Sequence, residues 1–390
     1  MKLAIVTDTF PPDVNGVAMT LQRLAAGMMG RGHGVEVVHP GGGEGAESGG
    51  FREVGVRSVA VPGYGQVRLG CPGWGFLRRR WEAERPDVVY VATESLLGGA
   101  ARRAAGRLGI PVVSGYHTHF PQYLESYGLG WLRPMVWRYL RGFHAGSRRT
   151  LVPTEETRQL LAGKGFGGLE LMERGVDTGL YGPGRRQAGL RESWGAGLGE
   201  VVMLYVGRLA AEKNLGLVFE AWELARQQQP GAKLVVVGDG PERAVWEARY
   251  PEAMWLGFRV GVELAEIYAS ADVLLFPSRS ETFGNVLLEG MASGLPTVSY
   301  HWAASRRFVE PGVTGYAACQ ESDAAWLRQV LRALRERRRW GAMGGAARQA
   351  VLAQSWAEVT AVFESHLLQA QEGPRGGRGA PQVWPQPQPA

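Results

Sequence analysis

Glu281-Thr-Phe-Gly-Asn-Val-Leu-Leu-Glu289 follows an apolar run with strand character, Asp272-Val-Leu-Leu-Phe-Pro277. A helix starting near Gly284 places the amides of Phe283 and Gly284 at its N-terminus, beside Asn285, where an anion is favoured. Glu281 then stands beside that terminus and Glu289 lies within the helix. Two carboxylates near one pole can hold a polyhydroxylated, phosphorylated ligand at two points. The spacing alone also suits a solvated helix face, so the flanking residues decide between the two.

Working outward, β-branched apolar runs alternate with helix-like segments. The first series is Lys2–Thr7, Gly34–His39, Ser58–Val61, Val88–Val91, Pro111–Tyr116 and Arg149–Pro153. The second is Val201–Val206, Lys233–Val237, Met254–Leu256, Val273–Phe276 and Pro296–Tyr300. This is the rhythm of parallel sheets covered by helices on both faces. Two series predict an α/β chain of two doubly wound, Rossmann-like domains facing across a cleft, with a barrel as the structural alternative. The turn-rich stretch Gly175–Gly184 breaks the pattern and marks the boundary. The expected division is 1–177 and 178–353 for the two domains, 354–368 for a closing amphipathic helix and 369–390 for a disordered tail rich in Pro, Gly and Gln. In open α/β sheets ligands bind at the carboxyl ends of strands, so the site belongs in the cleft.

The 390 residues carry 45% hydrophobic side chains, enough for sizeable cores. Cys71 and Cys319 form neither a zinc spacing nor a disulfide framework, and a reducing compartment fits. The opening MKLAIVTDTFPP turns acidic too soon for a signal peptide, and no run of 18 apolar residues predicts a membrane span. The net charge of +6 is uneven: residues 1–185 hold 22 Lys+Arg against 16 Asp+Glu, and the remainder balances. A basic N-terminal half suggests a partner bearing phosphates, lipid or nucleic acid.

Several strand-to-helix turns carry candidate chemistry. Gly16, in Asp13-Val-Asn-Gly-Val17, permits close backbone approach to an anion. Arg208 and Lys213 share the turn after the first strand of the second series and can grip a diphosphate, one as a fork and one as a point charge. Gly238, in Val237-Gly-Asp-Gly-Pro-Glu242, lies where a base pocket could be shaped, although an ordinary turn reads as well. His117 and His119 end a strand and could point into the cleft. Two histidines without a carboxylate cluster argue against a metal. Gly41-Gly-Gly-Glu-Gly-Ala46 matches a dinucleotide pattern in letters only, because it follows the second strand and precedes no apolar helix. In the Trp131–Phe143 segment, Leu132, Met135, Val136, Tyr139, Leu140 and Phe143 form one arc, expected inside. Arg133, Trp137, Arg138 and Arg141 form the other, suited to an anionic membrane surface, with Arg148 and Arg149 beyond.

Together these stretches resemble retaining glycosyltransferases of the GT-B fold, glycosyltransferase family four (group 1). The resemblance runs over residues 1 to 365 and rests on motifs in the family's order. They are TDTFPPDVNGV (7–17), SGYHTHFPQY (114–123), RGVDTGLY (174–181), YVGRLAAEKN (205–214), VVGDGP (236–241) and YASADVLLFPSRSETFGNVLLEGMASGLP (268–296). The N-terminal half is most similar to GDP-mannose-dependent α-mannosyltransferases of membrane lipids, and also resembles sulfoquinovosyl and digalactosyl diacylglycerol synthases. The resemblance implies that Gly16 meets the donor phosphates, His117 the donor sugar near its 6-hydroxyl, and Arg208 and Lys213 the diphosphate. It implies that Glu281, with the Phe283 and Gly284 amides, meets the sugar hydroxyls and Glu289 the ribose. His119 receives no role, and the last helix crosses back to brace the first domain. No D-x-D motif in these turns calls for a metal. The expected reaction is metal-independent hexosyl transfer with retention, using the nucleotide sugar as co-substrate and no cofactor. GDP-mannose is the favoured donor, with a lipid acceptor at the inner face of a membrane, in the cytoplasm. The alternatives are UDP-sugar-dependent glucosyl, galactosyl or sulfoquinovosyl transfer to diacylglycerol or a polysaccharide intermediate, or a non-catalytic binder of sugar nucleotides or nucleic acid. A phosphorylase would need a longer chain, and an NAD oxidoreductase a fingerprint absent from residues 7–17.

Overall fold

A computed structural model gives the fold. It describes residues 1–13, 15–41, 47–48, 50–61, 64–72, 75–119, 121, 130–197, 199–319 and 322–372. Residues 42–46 of the glycine-rich stretch and 373–390 of the expected tail lie outside the described residues.

The strands, in chain order, are β1 (Lys2–Val6), β2 (Gly34–Pro40), β3 (Glu47–Ser48), β4 (Phe51–Val56), β5 (Ser58–Val61), β6 (Tyr64–Gly70), β7 (Val88–Val91), β8 (Val112–Gly115), β9 (Arg149–Val152) and β10 (Leu169–Leu171). They continue with β11 (Val202–Val206), β12 (Lys233–Val237), β13 (Met254–Gly257), β14 (Val273–Phe276), β15 (Thr297–Tyr300) and β16 (Gly315–Ala318). Two open sheets form, in the orders β10-β9-β8-β7-β1-β2-β4-β3 and β13-β12-β11-β14-β15-β16. All neighbours are parallel except β3 and β4. The sequences of β7, VVYV, and β14, VLLF, are buried at every position, as strands covered on both faces must be.

Strand order reverses at β1 in the first sheet, between β2 and β7, and at β11 in the second, between β12 and β14. These switch points open crevices at the carboxyl ends of the strands. The loops after β1, β11 and β14 are those that carry Gly16, Arg208 with Lys213, and Glu281.

Ser58–Val61 is a strand but not a member of the parallel sheet. It pairs antiparallel with β6 in a two-stranded ribbon, and the sheet position is taken by β4, whose pattern FREVGV interleaves charges with short apolar residues. The segment before Phe143 is also rotated from the expected arc. In the Arg133–His144 helix, Leu140, Phe143 and His144 are buried, and Val136 and Trp137 pack against the cluster of Leu140, Leu161 and Phe166. Met135 and Tyr139 are exposed instead. Trp137, expected outside, sets its ring edge-on to Phe166 at 6.1 Å. A large indole gains more by covering Phe166 than a thioether or a phenol would.

The chain returns to the first sheet through the Trp356–Gln371 helix, capped by Ser355. It runs past Leu368, so residues 369–371, assigned to the tail from sequence, are its last turn. Val359, Phe363 and Leu367 join the cluster containing Leu3, Ile5 and Leu21. Gly27 of the Gly16–Gly30 helix permits this approach: a Cβ there would fall 2.4 Å from Thr360 Oγ1. Glu364 ties the outer face to Arg31 at 2.6 Å and to His33. Phe363→Ala should lower unfolding free energy in a urea titration by about 3–5 kcal/mol. A loss under about 1 kcal/mol would mean that the closing helix is not held by this cluster.

Candidate active site

The donor side is built at the switch point of the second sheet. The backbones after β11 and β12 approach so closely that a Cβ on Gly238, at φ 134°, would fall 1.9 Å from the Gly207 carbonyl oxygen. After β11 a short 3-10 turn, Ala211–Lys213, ends at Asn214, whose backbone is left-handed and whose side-chain Nδ2 donates to the Pro277 carbonyl at 3.2 Å. That bond joins the β11 and β14 loops and brings Lys213 Nζ to Glu281 Oε1, 2.5 Å away. Both side chains are mostly covered, at 18% and 17% exposure. Arg208 is half exposed and pairs with Glu212 at 3.2 Å.

The helix after Glu281 begins at Asn285, with Gly284 as its N-cap. Gly284 takes φ 103°, and a Cβ there would also press on the Phe276 ring at 3.2 Å. No side chain caps this helix, so its first amides are left for a ligand or water. Across the cleft stands Gly16, whose Cβ position lies 3.7 Å from Asn285 Nδ2. Gly16 opens its own helix, capped by the Asn15 side chain through the amides of Val17 and Ala18. Phe283 is buried, and its carbonyl accepts from the Ala304 amide at 2.9 Å.

Glu289, one helical turn inside, is held by phenols. Tyr268 donates to Oε2 at 2.9 Å, and Tyr181 contributes a second hydrogen bond. Burial pushes the Glu289 carboxyl up to about 7, with the two phenols and the charge of Arg23 opposing. Arg23, on the Gly16–Gly30 helix, pairs with Asp177 at 3.2 Å. Tyr181, Tyr268 and Arg23 had no role from sequence. The two tyrosines sit inside the quoted motifs, but only the fold shows that both reach one carboxylate.

On the facing side, His117 follows β8 and is buried. Its Nε2 lies 2.8 Å from the Tyr90 hydroxyl and its Nδ1 2.5 Å from Arg174 Nη2. Burial, with the charges of Arg174 and His144, holds it well below the usual histidine range. Its ring is therefore neutral and engaged within the protein. His119 is also buried, which lowers it to about 4, and its Nδ1 is 3.4 Å from the Tyr116 hydroxyl. Asp8, after β1, accepts from the Gly70 amide at 2.7 Å and the Thr93 hydroxyl at 2.6 Å. The arrangement brings Gly16, Lys213, Glu281, Gly284, Asn285 and Glu289 to one cleft. Arg133, Trp137, Arg138 and Arg141 lie apart on their own helix, where they line a cavity of about 520 Å³ with Lys164.

A cleft with an uncapped helix N-terminus, a paired lysine and two carboxylates suits an anionic, hydroxyl-rich ligand, and comparisons with known proteins agree. Residues 14–232 match Glycosyltransferase Family 4, and residues 200–336 match Glycosyl transferases group 1. The chain is 34% identical to a GDP-mannose-dependent alpha-mannosyltransferase of Mycobacterium tuberculosis, over 97% of this chain and 98% of that one. It is 29% identical to a sulfoquinovosyl transferase of Arabidopsis thaliana, over 82% and 64%. In fold it is similar to sucrose-phosphate synthase of Thermosynechococcus elongatus, with a TM-score of 0.78 at 18% identity, covering 94% and 98%. The chain belongs to glycosyltransferase family 4 and is a hexosyltransferase of GT-B architecture.

Proposed function

We propose that this enzyme transfers mannose from GDP-mannose, with retention and without a metal ion, to a hydroxyl of a lipid acceptor at an anionic membrane surface on the cytoplasmic side. The observation that carries this reading is the uncapped N-terminus at Gly284 and Asn285, facing Gly16, with the Lys213–Glu281 pair at the same pole. Breaking a sugar–phosphate bond leaves an oxocarbenium-like carbon and a nucleoside diphosphate that gains negative charge. Preorganised donors and cations stabilise that charge where it develops. Lys213 can turn from Glu281 to the diphosphate, which frees Glu281 to accept hydrogen bonds from sugar hydroxyls. Arg208 adds a second cation from the same turn. The acceptor oxygen attacks from the face the phosphate leaves, and its proton passes to the departing phosphate oxygen, so C1–O breaks and C1–O forms on one side.

GDP-mannose is favoured over UDP-sugars because similarity to a mannosyltransferase spans nearly the whole chain. A flat base finds apolar cover beside Gly238: Phe258 and Val260 follow β13 and are 46% and 48% exposed, and the Gly238 amide donates to the Gly257 carbonyl at 2.9 Å. The membrane reading draws on the rotated helix. Its exposed face mixes Trp131, Met135 and Tyr139 with Arg138 and Arg141, a combination that suits the headgroup layer. No described helix is long and apolar enough to cross a membrane, so contact would be made by such a face.

Three outcomes check this account. Lys213→Ala and Glu281→Ala should each lower kcat for mannosyl release from GDP-mannose by about 10²-fold or more, with unchanged folding by circular dichroism. Unaltered turnover in both would remove the donor-site assignment. For Glu289 the sign follows from its raised value: the carboxylate takes up a proton as pH falls through about 7. Its favourable contribution to stability is therefore complete below the ordinary carboxyl value and is lost as pH rises through 7. Ribose hydroxyls donate to the ionised form, so calorimetric GDP affinity should weaken by up to about tenfold per pH unit below 7. Glu289→Gln should flatten that dependence, and a wild-type profile already flat between pH 5.5 and 7.5 would contradict the role. Finally, Arg138→Glu with Arg141→Glu should abolish sedimentation with phosphatidylglycerol vesicles while sparing turnover of a soluble acceptor. Equal sedimentation would remove the membrane face.

A further inference from the structure

Arg174 has no task in the donor chemistry above, yet its surroundings are specific. Its side chain is 5% exposed, and among the described residues it makes no ion pair with a carboxylate. A buried cation without an anionic partner is expensive. What it does have is the ring of His117: Nη2 lies 2.5 Å from Nδ1, and Nη1 donates to the Met172 carbonyl at 3.4 Å. The Arg174 carbonyl accepts from the Gln354 side chain at 3.0 Å, just before the closing helix, which fixes the backbone on which the guanidinium stands.

A guanidinium has only donors. His117 Nδ1 must therefore accept and carries no proton. The proton of the neutral ring then lies on Nε2 and is donated to the Tyr90 oxygen at 2.8 Å. Tyr90 is itself fixed, edge-on to Phe363 of the closing helix at 4.9 Å. Space is equally restricted. A Cβ on Gly115 would stand 2.1 Å from the Tyr90 hydroxyl and 2.4 Å from His117 Nε2. The pair therefore fits only over a glycine.

We propose that Arg174 is a positioning residue that locks His117 as the neutral Nε2–H tautomer and holds its ring against Tyr90. It acts through His117 and need not touch the substrate. Its kinetic consequence rests on the proposed donor site including His117, whereas the tautomer does not, so the two can fail separately.

The test is long-range ¹H–¹⁵N correlation on the full chain labelled at histidine, with the His117 signals assigned from His117→Asn. The wild type should show one His117 species, with unprotonated Nδ1 and protonated Nε2. Arg174→Gln can either donate or accept, and should give a mixture of tautomers. Arg174→Lys is again donor-only and should restore Nε2–H. In parallel, Arg174→Gln should lower kcat on the order of 10- to 100-fold, leave donor KM within about threefold, and be largely rescued by Arg174→Lys. A wild-type His117 protonated at Nδ1 would overturn the proposal, and that measurement needs no variant at position 174 to fold. An unchanged Nε2–H signal in Arg174→Gln would overturn it as well. The expected tautomers without any kinetic change would retain the lock and remove its role in turnover.

Discussion

Charge compensation at the carboxyl pole of the second sheet is the constraint on which the rest depends. The strands there end in loops that gather Lys213, Arg208 and a helix N-terminus with no side-chain cap. Glu281 neutralises Lys213, and the side-chain amide of Asn285, at the start of the Asn285–Ala292 helix, stands against Gly16. A diphosphate meets both needs at once: it pairs the cation and supplies acceptors for the amides. Glycines make this possible, since a Cβ on Gly238 would collide with the Gly207 carbonyl oxygen and Gly284 takes a left-handed backbone close to the Phe276 ring. The fold brings the loops together, and a helix N-terminus beside two basic side chains would favour an anion there.

The two halves of the cleft are also joined by ion pairs. Arg306 and Arg307, just beyond the donor loop, reach Glu156 and Glu173 of the first half at 3.3 Å each. Arg23 meets Asp177 near the chain's passage between the sheets. Pairs of this exposure are weak individually, which would let such a cleft open and close. The permanent tie is apolar: the closing helix buries Val359, Phe363 and Leu367 against the first sheet. The same helix packs Phe363 on Tyr90, so the brace of the fold and the setting of His117 share a residue.

Much of this was legible in the sequence where the signal is local. Apolar β-branched runs such as Val88–Val91 and Val273–Phe276 announce buried parallel strands. Glu281, Lys213 and Gly16 stand at strand-to-helix turns, and Glu289 one turn into the helix that follows Glu281, where position alone places them at one pole. The missed strands lack that signal: Leu169–Leu171 has three residues, Gly315–Ala318 has a single large side chain, and Phe51–Val56 interleaves charges. Ser58–Val61 had strand character, but it pairs with the next strand in the chain, Tyr64–Gly70, rather than joining the parallel sheet. The Arg133–His144 helix is rotated because Phe166, distant in sequence, offers a surface that Trp137 and His144 cover. The tyrosines on Glu289 and the arginine on His117 are tertiary contacts, and periodicity carries no information about them.

The most direct test of the central claim is a thermal-shift panel of GDP, UDP, ADP and their sugar conjugates, each with EDTA present. A donor at 100 times its dissociation constant should stabilise the protein by about 2.7 kcal/mol. The account predicts that shift with GDP and GDP-mannose, and its loss in Lys213→Ala. A shift with UDP-sugars alone would move the donor to another nucleotide. No shift with any member of the panel would contradict an anion-binding pole at Gly284 and Lys213.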